Sequence, residues 1–413
     1  MENSLLSGLR ALDLTDKKGF ICGKILATLG VETIKIEKPG GDPGRLIPPL
    51  ISSIPGSNES LFWLAYNTDK RGITLNLETQ KGQDLFRRLV KGADFVIESF
   101  TPGFLDGIGL GFSALKKENP GIVMASITPF GQKGPHAHYK GGELIASATS
   151  GILATNGDAD RPPVKEGPDS IHFESNAAAA LGAVIAYYHR ATTGQGQHVD
   201  VSMQEVAAKR TTTNMVVWEF DKRLIKRNGT LRTFGARATN WIWPCKDGYV
   251  FWTFLGGKFG APANRAISQW IEDERLENPL REISNWDEFD MAAVPQESLD
   301  NYQAAIAKLF MNYTKKEINE EGLKRGINAC VVNNPADIRE SQQLRARDYW
   351  VALEHAELGI TFSYPKHYFL CSRTENFVRH RAPNIGEDNE AIYTNELGLS
   401  RAEIAALKEE RVI

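Results

Sequence analysis

The chain has 413 residues, of which 42% are hydrophobic and 24% are charged, and its formal net charge is −3. This composition is typical of a globular protein and excludes a basic nucleic-acid or membrane-surface binder, because such proteins carry excess positive charge. The four cysteines form no CxxC pair, so neither a disulfide framework nor a metal site is predicted. No signal peptide is recognisable, and no apolar run is long enough to span a bilayer. These features predict a soluble cytoplasmic protein that binds neither nucleic acid nor membranes.

The amino-terminal part alternates short apolar strands with helices. Helices are predicted at 19–30 and 83–93, and strands at 11–15, 32–38, 72–77, 94–99 and 121–128. Strands separated by helices of this length indicate βαβ units and a parallel, Rossmann-like sheet. The turn after the first strand, TDKKG, contains one glycine and no GxGxxG. Dinucleotide binding is therefore not predicted.

The stretch 163–205 contains the strongest pattern in the chain. Ser175 or Asn176 is predicted to cap a helix, because their side chains can accept hydrogen bonds from its first N–H groups. The predicted apolar face follows helical spacing and consists of Leu181, Val184, Ile185 and Tyr188.

A glycine turn follows this helix, and HVDVS at 198–202 alternates as a strand. Ser202 and Glu205 have capping-box spacing, so another helix is predicted to start there and to run on towards Phe220. Three polar residues precede the first of these helices, where a helix start favours negative charge. They are Asp169, His172 and Glu174, and they mark the first place to look for chemistry.

The character of the sequence changes after this region. Residues 240–257 predict an aromatic β-hairpin with its turn at Lys246-Asp247-Gly248, and Thr314 with Glu317 predicts a capped helix. A helix is expected at 335–350, a hairpin at 355–365 and a final helix from 399. The predicted organisation is α/β: a large Rossmann-like domain from residues 1–224, a smaller α+β domain at 225–330, and residues 331–413 returning to the large domain.

Several of these segments, in this order, resemble the class III coenzyme A-transferases, the family of formyl-CoA and carnitine CoA-transferases (CaiB/BaiF). The resemblance covers nearly the whole chain and rests on 12–15, 34–45, 67–79, 93–112, 119–135, the stretch 163–205 with TGQGQHVDVS at 193–202, and 382–407. It implies a large domain built from both chain ends and two subunits interlocked like links of a chain.

The resemblance also implies a chemistry. In the family an Asp attacks an acyl-CoA thioester to give a mixed anhydride and free CoA thiolate. The thiolate then forms an enzyme–CoA thioester, and the acceptor acid reverses the steps, so that one difficult exchange is divided into easier ones. The expected substrates are CoA thioesters and carboxylic acids, with no tightly bound cofactor.

The chain departs from the family pattern at the position of the nucleophilic Asp. An ungapped alignment places His172 at the position of the Asp, and Asn176 at that of a glycine four residues later. His172 is predicted to be inactive, since it cannot form the aspartyl anhydride. Three nearby carboxylates stay open as replacements: Glu174, Asp169 and Glu143. Gly142-Glu143 replaces the His-Asp pair of the related racemases, so racemase activity is disfavoured.

The CoA-contacting positions implied by the resemblance are partly changed. Lys38 and Lys140 fall at such positions and keep their positive charge, and Phe100 keeps its aromatic ring. Lys17 precedes a helix, where a phosphate could bind. The family's arginine a few residues after Phe100 aligns with Gly107.

The family that the chain resembles includes heteromeric enzymes, so the resemblance allows a partner subunit. We predict a CoA-transferase subunit without its own nucleophile, paired with a homologous Asp-bearing chain. The expected exchange runs between an acyl-CoA such as succinyl-CoA and an acid such as benzylsuccinate, an activity of anaerobic aromatic degradation. Two alternatives stay open: a self-sufficient transferase that uses one of the three carboxylates, and a non-catalytic CoA-ester-binding or structural protein.

Overall fold

A computed structural model describes residues 4–51 and 59–413. The chain divides into two compact units. The large unit contains Met1–Ala154, Lys165–Ile225 and Gln343–Ile413, and the small unit contains Thr155–Val164 and Lys226–Gln342.

The strands are, in chain order, β1 (Arg10–Asp13), β2 (Glu32–Glu37), β3 (Lys70–Thr74), β4 (Phe95–Glu98), β5 (Val123–Thr128), β6 (His198–Ser202), β7 (Leu231–Phe234), β8 (Arg237–Asn240), β9 (Ile242–Cys245), β10 (Gly248–Phe251), β11 (Cys330–Val331), β12 (Trp350–His355) and β13 (Ile360–Pro365).

The helices are α1 (Phe20–Thr28), α2 (Leu61–Tyr66), α3 (Gln80–Val90), α4 (Phe104–Gly107), α5 (Phe112–Glu118), α6 (Glu143–Thr149), α7 (Ile152–Thr155), α8 (Ser170–Thr193), α9 (Met203–Lys209), α10 (Thr212–Asp221), α11 (Gly257–Asp273), α12 (Gln296–Phe310), α13 (Lys315–Arg325), α14 (Pro335–Glu340), α15 (Gln342–Ala346) and α16 (Arg401–Glu409). Short 3₁₀ helices lie at Pro43–Leu46 and Pro279–Glu282, and a π-helical segment at Ala391–Glu396.

The large unit is organised around one sheet with the strand order β3-β2-β1-β4-β5-β6. Every neighbouring pair in it is parallel. This is the doubly wound order of Rossmann-like proteins, in which the connection reverses direction between β1 and β4. The predicted α/β class with a parallel sheet is confirmed.

Apolar side chains alternate between the two faces of this sheet, as the two-residue period of a strand requires. Leu12 and Val96 belong to the core beneath α3 and α5, whereas Ala11 and Ile97 belong to the core beneath α1 and α8. Ile404 of α16 and the terminal Ile413 pack into the first of these cores. The large unit is therefore built from both ends of the chain.

Helix α8 differs from its prediction in where it begins. It starts at Ser170, with Asp169 at the N-cap position, so Ser175 and Asn176 lie inside the helix and the predicted cap is wrong. His172 and Glu174 consequently lie within the helix rather than in front of it. The helix ends at Gly194, whose φ of 72° lies in the left-handed region that glycine adopts without strain.

The buried face of α8 is built mainly from small residues, including Ala179, Ala183 and Ala186. A Cβ atom added at Gly182 would lie 2.7 Å from Val199 Cγ1, so the helix packs too closely on β6 for a larger residue there. The larger side chains remain outside: Leu181, Ile185 and Tyr188 are 62%, 58% and 75% exposed. The predicted apolar face is thus largely uncovered in the large unit.

Two other predicted helices are interrupted. The helix that begins after Ser202 ends at Lys209, and α10 continues from Thr212. The segment expected to be helical to residue 350 contains α14 and α15, and Trp350 is the first residue of β12.

The small unit contains the predicted aromatic hairpin. Strands β9 and β10 pair antiparallel with Cys245 opposite Gly248. The Thr314–Glu317 capping box is also present, with both of its hydrogen bonds formed. Trp243, Trp252 and Trp270 are buried in the core of this unit.

Candidate active site at the start of helix α8

His172 lies in the first turn of α8 and is buried, with 5% of its surface exposed. Its Nδ1 atom lies 3.7 Å from Glu143 Oε2 and 3.7 Å from Asp169 Oδ2. These separations are longer than hydrogen bonds, and neither ring nitrogen has a hydrogen-bond partner among the described residues. Three side chains from two separate segments therefore meet at one point.

Glu143 is the first residue of α6, and its carboxylate caps α8. Its Oε1 accepts a hydrogen bond from the Ile171 N–H (2.9 Å), and its Oε2 accepts one from the His172 N–H (2.8 Å). These are two of the free donors that every helix start exposes, and a negative charge there is favoured by the helix dipole. Glu143 thus supplies the cap that the sequence analysis assigned to Ser175 or Asn176.

The environment keeps His172 neutral. Burial lowers the pKa of the imidazole below its usual value, because the charged form loses hydration there. The carboxylates of Glu143 and Asp169 oppose this shift without overcoming it. One ring nitrogen of His172 therefore carries an available lone pair.

The other two candidate carboxylates face different partners. Asp169 is 46% exposed, and its Oδ1 lies 3.1 Å from Lys165 Nζ. Glu174 lies 3.6 Å from the Arg210 guanidinium, and burial raises the pKa of its carboxyl group. The structure therefore brings Glu143 and Asp169 to His172, whereas Glu174 is engaged by Arg210.

Asn176 joins α8 to the turn after β1. Its side-chain amide donates to the carbonyl oxygens of Lys18 (2.6 Å) and His172 (2.7 Å), and its carbonyl oxygen accepts from the Cys22 N–H (2.8 Å). Because Asn176 is fully buried, these bonds satisfy its polar atoms in place of water. Asn176 therefore ties α8 to the turn after β1.

A cavity of about 370 Å³ opens at the carboxyl ends of β1 and β4. Open α/β sheets bind ligands at this reversal of strand order. Phe100, which packs on Phe104 with 4.7 Å between ring centroids, forms part of the wall. Lys38 lines the cavity as well, with its ammonium group 2.7 Å from Glu78.

The other predicted CoA contacts lie elsewhere. Lys17 and Lys140 are exposed and are not among the described residues that line this cavity. Lys17 lies close enough to His172 for its charge to lower the imidazole pKa further. Lys140 precedes α6 by three residues.

Asp16 and Ser99 line one side of this cavity and are bonded to each other. The Asp16 N–H donates to Ser99 Oγ, and that hydroxyl donates back to Asp16 Oδ1, both over 2.9 Å. Ser99 directly follows β4, and Asp16 lies three residues after β1, so this pair of bonds joins two neighbouring strands at the strand-order reversal.

Comparison with known proteins identifies the family of the chain. The family model described as CoA-transferase family III matches residues 6–389. A protein named succinyl-CoA:(R)-benzylsuccinate CoA-transferase subunit BbsE, from Thauera aromatica, is 32% identical over 391 residues, covering 94% of this chain and 93% of that protein. A succinyl-CoA–D-citramalate CoA-transferase from Chloroflexus aurantiacus is 30% identical over 410 residues, covering 99% of this chain and 98% of the relative.

A solved structure agrees with this relationship. The crystal structure of a CaiB/BaiF family protein from Brucella suis superimposes with a TM-score of 0.83 at 26% identity, covering 95% of this chain and 99% of that one. The chain belongs to CoA-transferase family III, and the predicted family is confirmed. Across the described ranges, no helix combines the length and apolarity needed to cross a bilayer.

Proposed function

We propose that this chain is the subunit of a heteromeric CoA-transferase that does not carry the nucleophile. In the assembled enzyme, CoA moves between succinyl-CoA and a carboxylic acid of the benzylsuccinate type, as in anaerobic aromatic degradation. A homologous subunit supplies the attacking Asp. The observation that carries the proposal is the buried, neutral His172 at the position where the family pattern has that Asp.

The carboxylates around His172 support this assignment. Glu143 accepts two backbone hydrogen bonds, which stabilise the carboxylate and make it a weaker nucleophile. Glu174 and Asp169 each face a cationic side chain. Asp169 is the most exposed of the three and is the first residue to test in the alternative of a self-sufficient enzyme.

An unpaired apolar face supports the presence of a partner subunit. Leu181, Ile185 and Tyr188 form it on α8, and exposed apolar surface of this kind commonly marks an interface. The Thauera relative is named as a subunit, which is consistent with a partner chain. The interlocked arrangement of family members is the form of dimer we propose.

The cavity beside Phe100 is the proposed site for the nucleotide part of CoA. Phe100 offers an aromatic surface to a base, and Lys38 with Lys18 at the edge offers positive charge to phosphate groups. Lys17 and Lys140 are proposed to contribute further charge near the start of α8. The chain would then hold CoA even where it contributes no nucleophile.

The test compares this chain alone with this chain co-expressed with an Asp-bearing homologue. Transfer from succinyl-CoA to benzylsuccinate is expected only from the pair. His172→Ala in this chain should leave the pair active, whereas Ala in place of the partner's nucleophilic Asp should abolish transfer. Full transfer by this chain alone would contradict the proposal.

If activity did arise from this chain alone, trapping would locate its nucleophile. Incubation with succinyl-CoA and hydroxylamine, followed by peptide mass analysis, would mark the reacting carboxylate. Asp169→Asn and Glu174→Gln would then separate the two exposed candidates. Binding of CoA by the isolated chain, measured by calorimetry, distinguishes the proposed subunit from a purely structural protein, which would bind none.

A further inference from the structure

We propose that Glu143, Asp169 and His172 form a binding site for a divalent transition-metal ion, with Zn²⁺ as the preferred ion. Within the described part of the chain, these three residues form the one group of His, Cys, Asp or Glu side chains with metal-ligand spacing. One donor atom from each lies within 4.8 Å of the other two. The proposal stands independently of the transferase function.

The state of His172 points to a ligand. Only 6% of the His172 side chain is exposed, and both ring nitrogens lack a hydrogen-bond partner in the described structure. A buried polar group without a partner is costly, and such groups usually have a structural explanation. The lone pair of a neutral imidazole nitrogen can bind a metal ion. An ion bound to Nδ1 would therefore give a partner to the ring nitrogen that faces the two carboxylates.

An ion pair between a charged His172 and the carboxylates explains the geometry less well. Both carboxylate oxygens lie 3.7 Å from Nδ1, beyond hydrogen-bond range, so no direct bond joins the ring to either carboxylate. A shared cation accounts for this spacing, because it separates its ligands instead of drawing them into direct contact.

The distances suit a small ion after modest movement. Zn²⁺ binds nitrogen and oxygen donors at about 2.0–2.2 Å, so a tetrahedral site separates its donors by roughly 3.3–3.6 Å. The two observed separations from Nδ1 are 3.7 Å. The Asp169 side chain is 46% exposed and, among the described residues, is bonded only through Oδ1 to Lys165, so a small rotation of it would bring Oδ2 closer to Nδ1.

The site also has the organisation of a metal centre. The backbone N–H groups of Ile171 and His172 hold the Glu143 carboxylate in place, as hydrogen bonds around metal ligands commonly do. Two carboxylates balance the charge of a divalent ion. Lys165, at 3.1 Å from Asp169 Oδ1, competes for that carboxylate. One imidazole and two carboxylates bind Zn²⁺ more tightly than Mn²⁺ or Fe²⁺.

The test measures metal binding directly on the full chain without an affinity tag. After chelator treatment, Zn²⁺ is titrated by calorimetry, and Co²⁺ is titrated by its visible absorption, which reports coordination by the protein. One equivalent is expected to bind. His172→Gln and Asp169→Asn should each weaken binding by about tenfold or more, because each removes one of three ligands.

Two controls protect the interpretation. His198→Gln and Asp160→Asn remove an exposed histidine and an exposed aspartate elsewhere and should leave the equivalent of bound Zn²⁺ unchanged. Asp169 makes no side-chain cap bond to α8, so Asp169→Asn tests the site even if His172→Gln fails to fold. Unchanged binding in Asp169→Asn, or no saturable binding of micromolar Zn²⁺ by the unmodified chain, would overturn the proposal.

Discussion

Replacing Lys70 with methionine would break a buried charge network that joins three strands of the large sheet. Lys70 Nζ donates to Asp13 Oδ2 (2.8 Å), the Phe20 carbonyl oxygen (2.8 Å) and Asn67 Oδ1 (2.9 Å). The side chains of Lys70 and Asp13 are fully buried. Methionine keeps the length of the side chain, so the change removes the charge and its bonds with little loss of volume.

The expected loss of stability depends on the interactions that Asp13 keeps after the substitution. Asp13 would keep Lys35 as its cationic neighbour, at 3.8 Å, and its bonds from Thr15. Removing one partner of a buried pair typically costs about 3–5 kcal/mol, because the other charge stays buried. We expect Lys70→Met to lower the free energy of unfolding of the large unit by that amount.

Hydrogen exchange of the β1 and β3 amides measures this loss of stability locally, since these strands belong to the core of the large unit. At 1.36 kcal/mol per factor of ten, their exchange should accelerate by roughly 10² to 10⁴ fold. The matched control is Lys117→Met, which changes an exposed lysine and should alter exchange little. Combining Lys70→Met with Asp13→Leu should cost about 1–3 kcal/mol less than the sum of the single changes. Equal exchange in Lys70→Met and Lys117→Met, or simple additivity in the double variant, would refute the reasoning.

Three further predictions concern pH, CoA binding and assembly. Burial raises the pKa of the Asp13 carboxyl group, but Lys70 and Lys35 outweigh this effect and hold that pKa below its usual value. The network therefore stabilises the fold above about pH 4 and loses this contribution as the pH falls further. The acid unfolding curve of the parent should fall more steeply below pH 4 than that of Asp13→Asn. Phe100→Ala should weaken CoA binding about tenfold in calorimetry, since stacking on an aromatic ring contributes about 1–3 kcal/mol per base, and an unchanged affinity would remove Phe100 from the proposed site. Tyr188→Asp should shift the co-expressed pair towards separate chains in size-exclusion chromatography, whereas Tyr249→Asp, at an exposed tyrosine of the small unit, should leave the pair intact.

Most strands of the large sheet were predictable because they are short, mainly apolar runs between turn residues. The exception is β3, KRGIT, which has one large apolar residue and begins two residues before the strand predicted at 72–77. The predicted strand 32–38 exceeds β2 by one residue at its end, and the predicted strand 94–99 exceeds β4 by one residue at each end. The sequence also indicated the family and the unusual residue His172. These features depend on local pattern, which a single chain carries in full.

The start of α8 was not predictable in this way. Ser175 and Asn176 have the side chains of cap residues, but the cap comes from Glu143, which is distant in sequence. Which face of α8 is buried was also not predictable from the sequence. Alanines allow the closest approach to the sheet, so they occupy the buried face and leave Leu181 exposed. The meeting of Glu143 with His172 likewise appears only after folding.

Asn176 has a consequence for how the difference at His172 could be reversed. A change of His172 to Asp would restore the side chain of the family pattern, but it would leave Asn176 bonded to Lys18 and Cys22. Replacing Asn176 with glycine as well would remove the bonds that tie α8 to the turn after β1. The two positions are linked, because the Asn176 side-chain amide also donates to the His172 carbonyl oxygen over 2.7 Å. A change at position 172 is therefore made on backbone that Asn176 holds in place.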